Sequence, residues 1–255
     1  MRKVEIRLLQ TGYLNAATNM AIDESVMHHV ASGKSPPTFR LYGWKPPAVS
    51  IGYFQSLAEE VDLEVCKQLG VDIVRRITGG GAVYHDDEVT YSAVIPQDWE
   101  SIPKSIPESY EFICGGILEG LKELGMDASF QGLNDIAVGG KKISGNAQTR
   151  RHGVVLQHGT ILIDVNPEKM FSLLRVPSEK TRKKLIKSAR ERVTCINQVV
   201  PGSIAFENVV SALATGFEES LDIEFERSQL DVGELKQAKE LAEKKYGTED
   251  WNHMR

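Results

Sequence analysis

Short runs of alternating apolar residues recur along this chain without a helix placed regularly between them. That pattern restricts the architecture more than any other feature. Strands are predicted at Lys3–Leu9, Thr38–Trp44, Ala48–Tyr53, Asp72–Arg76, Ala82–Tyr84, Val89–Ile95, Val154–Asp164 and Asp222–Arg227, with a hairpin over Asp135–Ser144. Pro46-Pro47 splits the second and third strands, which read as a pair. The strongest helix signal is Pro107–Leu124: Ile113, Ile117 and Leu121 lie on one face, Ser105 with Glu108 forms a capping-box pattern, and Gly125 follows the end. Other helices are predicted at Leu14–Ala31, at Val61–Leu69 before Gly70, and near Pro167–Leu174, Thr181–Arg190, Ile204–Leu221 and Leu235–Tyr246. Strands and helices mixed without a βαβ rhythm imply an α+β fold, a largely antiparallel mixed sheet flanked by helices. No internal repeat or low-complexity linker interrupts the pattern, so residues 1–255 read as one domain, with residues 228–255 as an appended C-terminal helix.

Composition narrows the class. The 255 residues carry 30 Lys+Arg against 35 Asp+Glu, a net charge of −5, which argues against nucleic acid as a partner. No apolar run approaches the roughly 18–20 residues of a membrane helix, and the opening MRKVEIRLLQ lacks a signal-peptide stretch, so neither a membrane nor secretion is expected. Cys66, Cys114 and Cys195 form no ligand-spaced cluster. The chain reads as cytoplasmic.

Two segments carry the chemistry. Arg75-Arg76-Ile77-Thr78-Gly79-Gly80-Gly81-Ala82-Val83-Tyr84-His85-Asp86 places three glycines directly after a strand. Such a run costs folding entropy but lets backbone N–H groups approach an anion. A flexible connection with an exposed arginine pair is the plainer alternative. The second segment, Leu133-Asn134-Asp135-Ile136-Ala137-Val138-Gly139-Gly140-Lys141-Lys142-Ile143-Ser144-Gly145, reads as a hairpin turning at Gly139-Gly140. In the simplest register Val138 faces Lys141, Ala137 faces Lys142, Ile136 faces Ile143 and Asp135 faces Ser144. Lys142 then shares a face with Asp135 and Ser144 and is the functional lysine, while Lys141 reaches solvent. A solvated hairpin with two exposed lysines is again the plainer alternative. Together the segments suggest a site for a polyanion and a carboxylate.

At these segments the sequence resembles the lipoate–protein ligase A family, within the biotin and lipoate ligase superfamily. The carriers are RRITGGGAVYHD, the Asn134-Asp135 pair and KKISG, and the similarity runs on through HGTILIDVN, KSARERVTCINQ and KKYGTEDWN. The resemblance implies a biotin/lipoate ligase catalytic-domain-like fold. It also implies ATP-dependent, Mg²⁺-dependent activation of lipoate to lipoyl-AMP, then transfer to a lysine of a lipoyl acceptor domain. Such acceptors are the E2 subunits of oxoacid dehydrogenases and the glycine-cleavage carrier protein. Carried over, Lys142 is the catalytic residue and contacts both lipoate and the α-phosphate. Arg75, Arg76, Gly79, Gly80, Gly81, Ala82, Val83, Tyr84, His85, Asn134 and Asp135 hold the nucleotide, with Asp135 at the metal. Gly80, Gly81 and His158 join Lys142 around lipoate, and Val49–Gly52 and Val154–Leu156 are candidate walls for its apolar tail.

Two departures qualify this. Full-length ligases of the family carry a smaller C-terminal domain that this chain has no room for, so a separate accessory protein is expected to support activation. HDDEVTYSAVIP and GNAQTRRHGVVLQHGTI look more like the octanoyltransferase branch, which takes an acyl group from acyl carrier protein through a cysteine thioester without ATP. That branch has its nucleophile upstream of the lysine hairpin, where this chain has Asp127-Ala128-Ser129-Phe130. The three cysteines read as small core residues, and their poor fit to a thioester route favours the ligase, with the transferase as the alternative.

Overall fold

The computed structural model describes residues 4–255; Lys3, where the first predicted strand begins, lies outside them. The elements run β1 (Val4–Leu14), α1 (Ala16–Ala31), β2 (Thr38–Trp44), β3 (Ala48–Ile51), α2 (Leu57–Glu60), α3 (Leu63–Gln68), β4 (Asp72–Arg75), β5 (Val83–His85) and β6 (Glu88–Pro96). They continue with α4 (Ile106–Glu123), β7 (Ala128–Gln131), β8 (Asp135–Val138), β9 (Lys141–Arg151), β10 (Val154–Leu162), α5 (Pro167–Ser172), α6 (Glu179–Arg192) and α7 (Ile196–Val199). Last come α8 (Phe206–Leu221), β11 (Ile223–Ser228), α9 (Val232–Leu241), a π-helical turn (Ala242–Tyr246) and α10 (Glu249–Asn252).

The architecture is the expected α+β. An eight-stranded sheet has the order β11-β1-β2-β6-β10-β9-β8-β7, with β1 parallel to both of its neighbours and the other pairs antiparallel. β6 lies mid-sheet and is buried from Glu88 to Ile95, because its two faces pack into different cores. Tyr91, Ala93 and Ile95 meet Ile113, Ile117 and Leu121 of α4 and Phe217 of α8, whereas Val94 on the opposite face meets Ile22 and Val26 of α1. No described helix is long and apolar enough to cross a membrane.

Three expectations need correction. β2 and β3 do not pair: beyond Pro46-Pro47 the chain leaves the large sheet, and β3 joins β4 and β5 in a separate three-stranded sheet. The β8–β9 hairpin keeps Val138 opposite Lys141 and Ala137 opposite Lys142, but a bulge then sets Ile136 against Ser144 and Asp135 against Gly145. An extra residue on one strand displaces every later pair by one, which simple turn counting does not reveal. The predicted Leu235–Tyr246 helix is α9 followed by the π turn.

The C-terminal segment is tied to the core by buried charge. Arg7 meets Glu234 through Nη1 at 2.9 Å and Nη2 at 2.5 Å, and Lys245 and Tyr246 both reach the carboxylate of Glu24. Arg75 is fully buried. Its guanidinium donates to the carbonyls of Asn252 (2.7 Å), Trp251 (3.1 Å) and Gln55 (2.6 Å), and its own N–H donates to Asn252 Oδ1 at 2.7 Å.

Candidate functional site

Between the two sheets lies a cleft of about 580 Å³. Its floor is Tyr42 and Trp44 of β2, Glu88 and Thr90 of β6, and His158, Thr160 and Leu162 of β10. One wall is Ser50, Arg76 and the run from Gly80 to Asp86; the other is the β9 start from Lys142 to Ala147, with Asn134. Met20, Val165 and Met170 add apolar surface. The volume falls within the range of small-molecule binding sites.

The glycine loop owes its shape to Arg76. That guanidinium is buried and donates to Ser50 O (3.1 Å), Ser50 Oγ (3.0 Å), Gly79 O (2.8 Å) and Gly81 O (2.7 Å). Burial lowers its pKa to about 10, so it is still a cation near neutral pH. Gly80 has φ of +99°, and its carbonyl lies where a side chain on Gly52 would stand, so the loop closes against that residue. With the carbonyls of Gly79 and Gly81 turned toward Arg76, the N–H groups of Gly79, Gly80 and Gly81 have no partner among the described residues.

Lys142 is positioned from three sides. Nζ lies 2.7 Å from Asp135 Oδ1, and the side chain crosses Gly145, where an added Cβ would sit 2.7 Å from Nζ. Its own carbonyl accepts from Thr194 N at 2.8 Å, bracing the strand from behind. The side chains of Lys142 and Asp135 remain 45% and 38% exposed, so the ammonium sits at the cleft mouth. Lys141 points away, toward the carbonyl of Arg190 at 3.4 Å.

Beneath the cleft lies a buried polar network. Asp23 accepts from Arg40 Nη1 (2.8 Å), Ser92 Oγ (2.9 Å) and Tyr42 OH (3.0 Å), with His158 Nδ1 at 3.6 Å. Burial alone would raise the Asp23 pKa, but the His158 ring and the Arg40 guanidinium outweigh it and hold the carboxyl below its usual value. Burial lowers the His158 pKa although the Asp23 carboxylate beside it acts the other way, and its Nε2 meets Thr78 Oγ1 at 2.7 Å. A second chain runs from Ser50 Oγ to His85 Nε2 (2.8 Å) and from His85 Nδ1 to Glu88 Oε1 (2.7 Å), with the imidazole stacked on Trp44 at 4.0 Å.

Of the residues singled out from sequence, Arg76, Gly80, Gly81, Ala82, Val83, Tyr84, His85, Asn134, Lys142 and His158 converge on this cleft. Arg75 and Gly79 do not line it; Arg75 is committed to the C-terminal segment and Gly79 to Arg76. Asp135 stands behind Lys142 rather than in the cleft, and no group of three His, Cys, Asp or Glu among the described residues is placed to hold a metal. Val49 and Ile51 belong to the core of the small sheet, and Val154 and Leu156 to the core under α1, so neither stretch supplies an apolar wall. Of the Val49–Gly52 stretch only Ser50, a polar residue, lines the cleft, and sequence reading missed Trp44 and Thr90. It also missed Glu88, although a carboxylate opening an otherwise apolar strand is a visible signal. All three thiols are buried and none lines the cleft; burial raises Cys66 and Cys195 to about 11 and Cys114 to about 12.

Residues 15–218 match the model of the lipoyl protein ligase A/B catalytic domain. The chain belongs to that family. Its members include octanoyltransferase LipM of Kyrpidia tusciae, 41% identical over 98% of each chain, and LipM of Geobacillus kaustophilus, 38% identical over the whole of both. A similar solved structure is the bi-partite lipoate protein ligase of Thermoplasma acidophilum, with a TM-score of 0.89 and 36% identity over 98% of this chain and 96% of that one. The family and fold implied by the motifs therefore stand. The expected activity does not. Full-length relatives that are octanoyltransferases overturn ATP-dependent lipoate ligation, the lipoyl-AMP intermediate and the ATP and Mg²⁺ requirement, because acyl transfer starts from a group already activated.

Proposed function

We propose that this chain transfers an octanoyl or related acyl group from the thioester of a carrier protein to a lysine ε-amine of a lipoyl acceptor domain, without ATP. The observation that carries the proposal is the Lys142 ammonium, fixed by Asp135 and Gly145 at the mouth of a largely apolar cleft opposite unpartnered glycine amides. The acyl tail lies along Met20, Trp44 and Leu162, which leaves the thioester carbonyl at the mouth. Lys142 then stabilises the oxyanion that forms when the carbonyl is attacked.

The acceptor amine attacks directly. Its neutral nitrogen forms the C–N bond, the C–S bond breaks, the carrier leaves as a thiol, and the proton lost by nitrogen reaches the departing sulfur or solvent. A relay through an enzyme thioester needs an accessible thiolate, and the three buried thiols offer none. The absence of the upstream cysteine thus bears on the route and not on the donor. The test incubates the purified chain with octanoyl-carrier and an acceptor domain, without nucleotide, and follows both proteins by intact mass. Octanoylated acceptor is expected, with unmodified enzyme throughout and activity kept by Cys66→Ala, Cys114→Ala and Cys195→Ala. No acceptor product would refute the activity; an acyl adduct on a cysteine would refute the direct route.

A further inference from the structure

Helix α6 combines properties that the fold itself does not use. It holds seven basic residues against two acidic ones in fourteen positions, within a chain whose net charge is −5. Only Ala189 is buried. Lys180, Lys183, Lys184 and Lys187 line a shallow exposed groove and repel one another at spacings of three and four, an arrangement that destabilises a helix. Glu179 pairs with Arg182 and Glu191 with Lys187, which leaves Lys180, Lys183 and Lys184 without an ion pair among the described residues. The C-terminal end of α6 is attached to the catalytic hairpin: Arg190 O accepts from Lys141, and Val193 bridges to Lys142 in parallel register.

We propose that α6 docks the acyl donor, an acidic carrier protein that presents its thioester on a long flexible arm. The inference rests on the acyl-transfer reading above. Reach decides between donor and acceptor. Fourteen residues span about 20 Å, so the exposed lysines of the first turns lie well away from Lys142, although the helix leads straight to it. An acceptor lysine reaches only the length of its own side chain, so its domain must sit over the cleft mouth. A carrier docked along α6 leaves that mouth free and still delivers its thioester through the arm. Unpaired cations facing an acidic surface also speed encounter, an effect that salt screens.

The test compares the wild type with Lys183→Glu/Lys184→Glu/Lys187→Glu, all exposed and outside the cleft. Both receive either octanoyl-loaded acidic acyl carrier protein or octanoyl-pantetheine, which is small and uncharged, with one acceptor domain. Expected is a rise of about ten-fold or more in KM for the carrier, with the rate from octanoyl-pantetheine and the KM for acceptor unchanged. Binding of the carrier measured by fluorescence anisotropy should weaken in parallel and, in the wild type, with added salt. Equal losses with both donors, a raised KM for acceptor alone, or unchanged carrier binding would each overturn the proposal. Failure of the wild type with both donors would instead count against the acyl-transfer reading, and anisotropy would still decide whether α6 binds the carrier.

Discussion

Replacing Lys142 with methionine removes the ammonium but keeps an unbranched side chain of similar reach over Gly145. One preorganised donor to a developing oxyanion is worth about 10²–10³ in rate. Lys142 is 45% exposed, and nearby water weakens its field, so the lower end applies: a fall of about 100-fold in kcat/KM, or about 2.7 kcal/mol. Folding should hardly register the change. The pair with Asp135 is open to solvent on both sides and contributes at most about 1 kcal/mol, which shifts the melting point of a chain this size by about 2–4 °C. Lys142→Arg should recover little, because a planar guanidinium does not fit the slot between Gly145 and Asp135. The assay is acceptor octanoylation at varied donor, with Lys141→Met as the matched control. Equal losses at both lysines would refute the argument, as would a Lys142→Met melting point lowered far beyond that range.

Asp23→Ala leaves the buried Arg40 guanidinium with only neutral partners, Asn19 and Thr11; the expected cost is about 3–5 kcal/mol, read by calorimetry as a fall of roughly 6–20 °C, and an unchanged melting point would contradict it. His158, whose pKa is lowered in the folded chain, makes the unfolded chain the first to take up a proton. Its contribution to stability is therefore present above about pH 6.5 and is lost as the pH falls below that value toward the depressed folded pKa. Denaturant titrations of wild type and His158→Asn should diverge in that window, and parallel curves would show that the ring does not titrate as described. Gly145→Ala should displace the Lys142 ammonium and lower kcat more than it raises KM; unchanged kcat would mean that the side chain finds another path to the cleft.

The parts of the fold that could be read in advance were those with a strong local period. The Ile113–Ile117–Leu121 face of α4 and the Gly139-Gly140 turn each declare themselves within a few residues, and the preference for Lys142 over Lys141 followed from alternation near that turn. Features that depend on distant partners were not legible. Nothing local separates β3 from β2, since both read as apolar strands and only the pairing with β4 and β5 assigns β3 to a second sheet. Arg75 and Arg76 are neighbours of the same type, yet one faces the C-terminal segment and the other the glycine loop; the alternation was visible, but the partners were not. The motifs located the cleft, whereas its floor of Trp44, Glu88 and Thr90 comes from strands whose composition announces burial without announcing a ligand.

The clasp between Arg75 and Asn252 joins positions 177 apart in the chain. Arg75 leads directly into the glycine loop, so Trp251 and Asn252 help to hold one wall of the cleft. Loss of those two residues would therefore be felt at the cleft: the lysine hairpin keeps its own contacts, while the opposite wall loses the partners that fix Arg75.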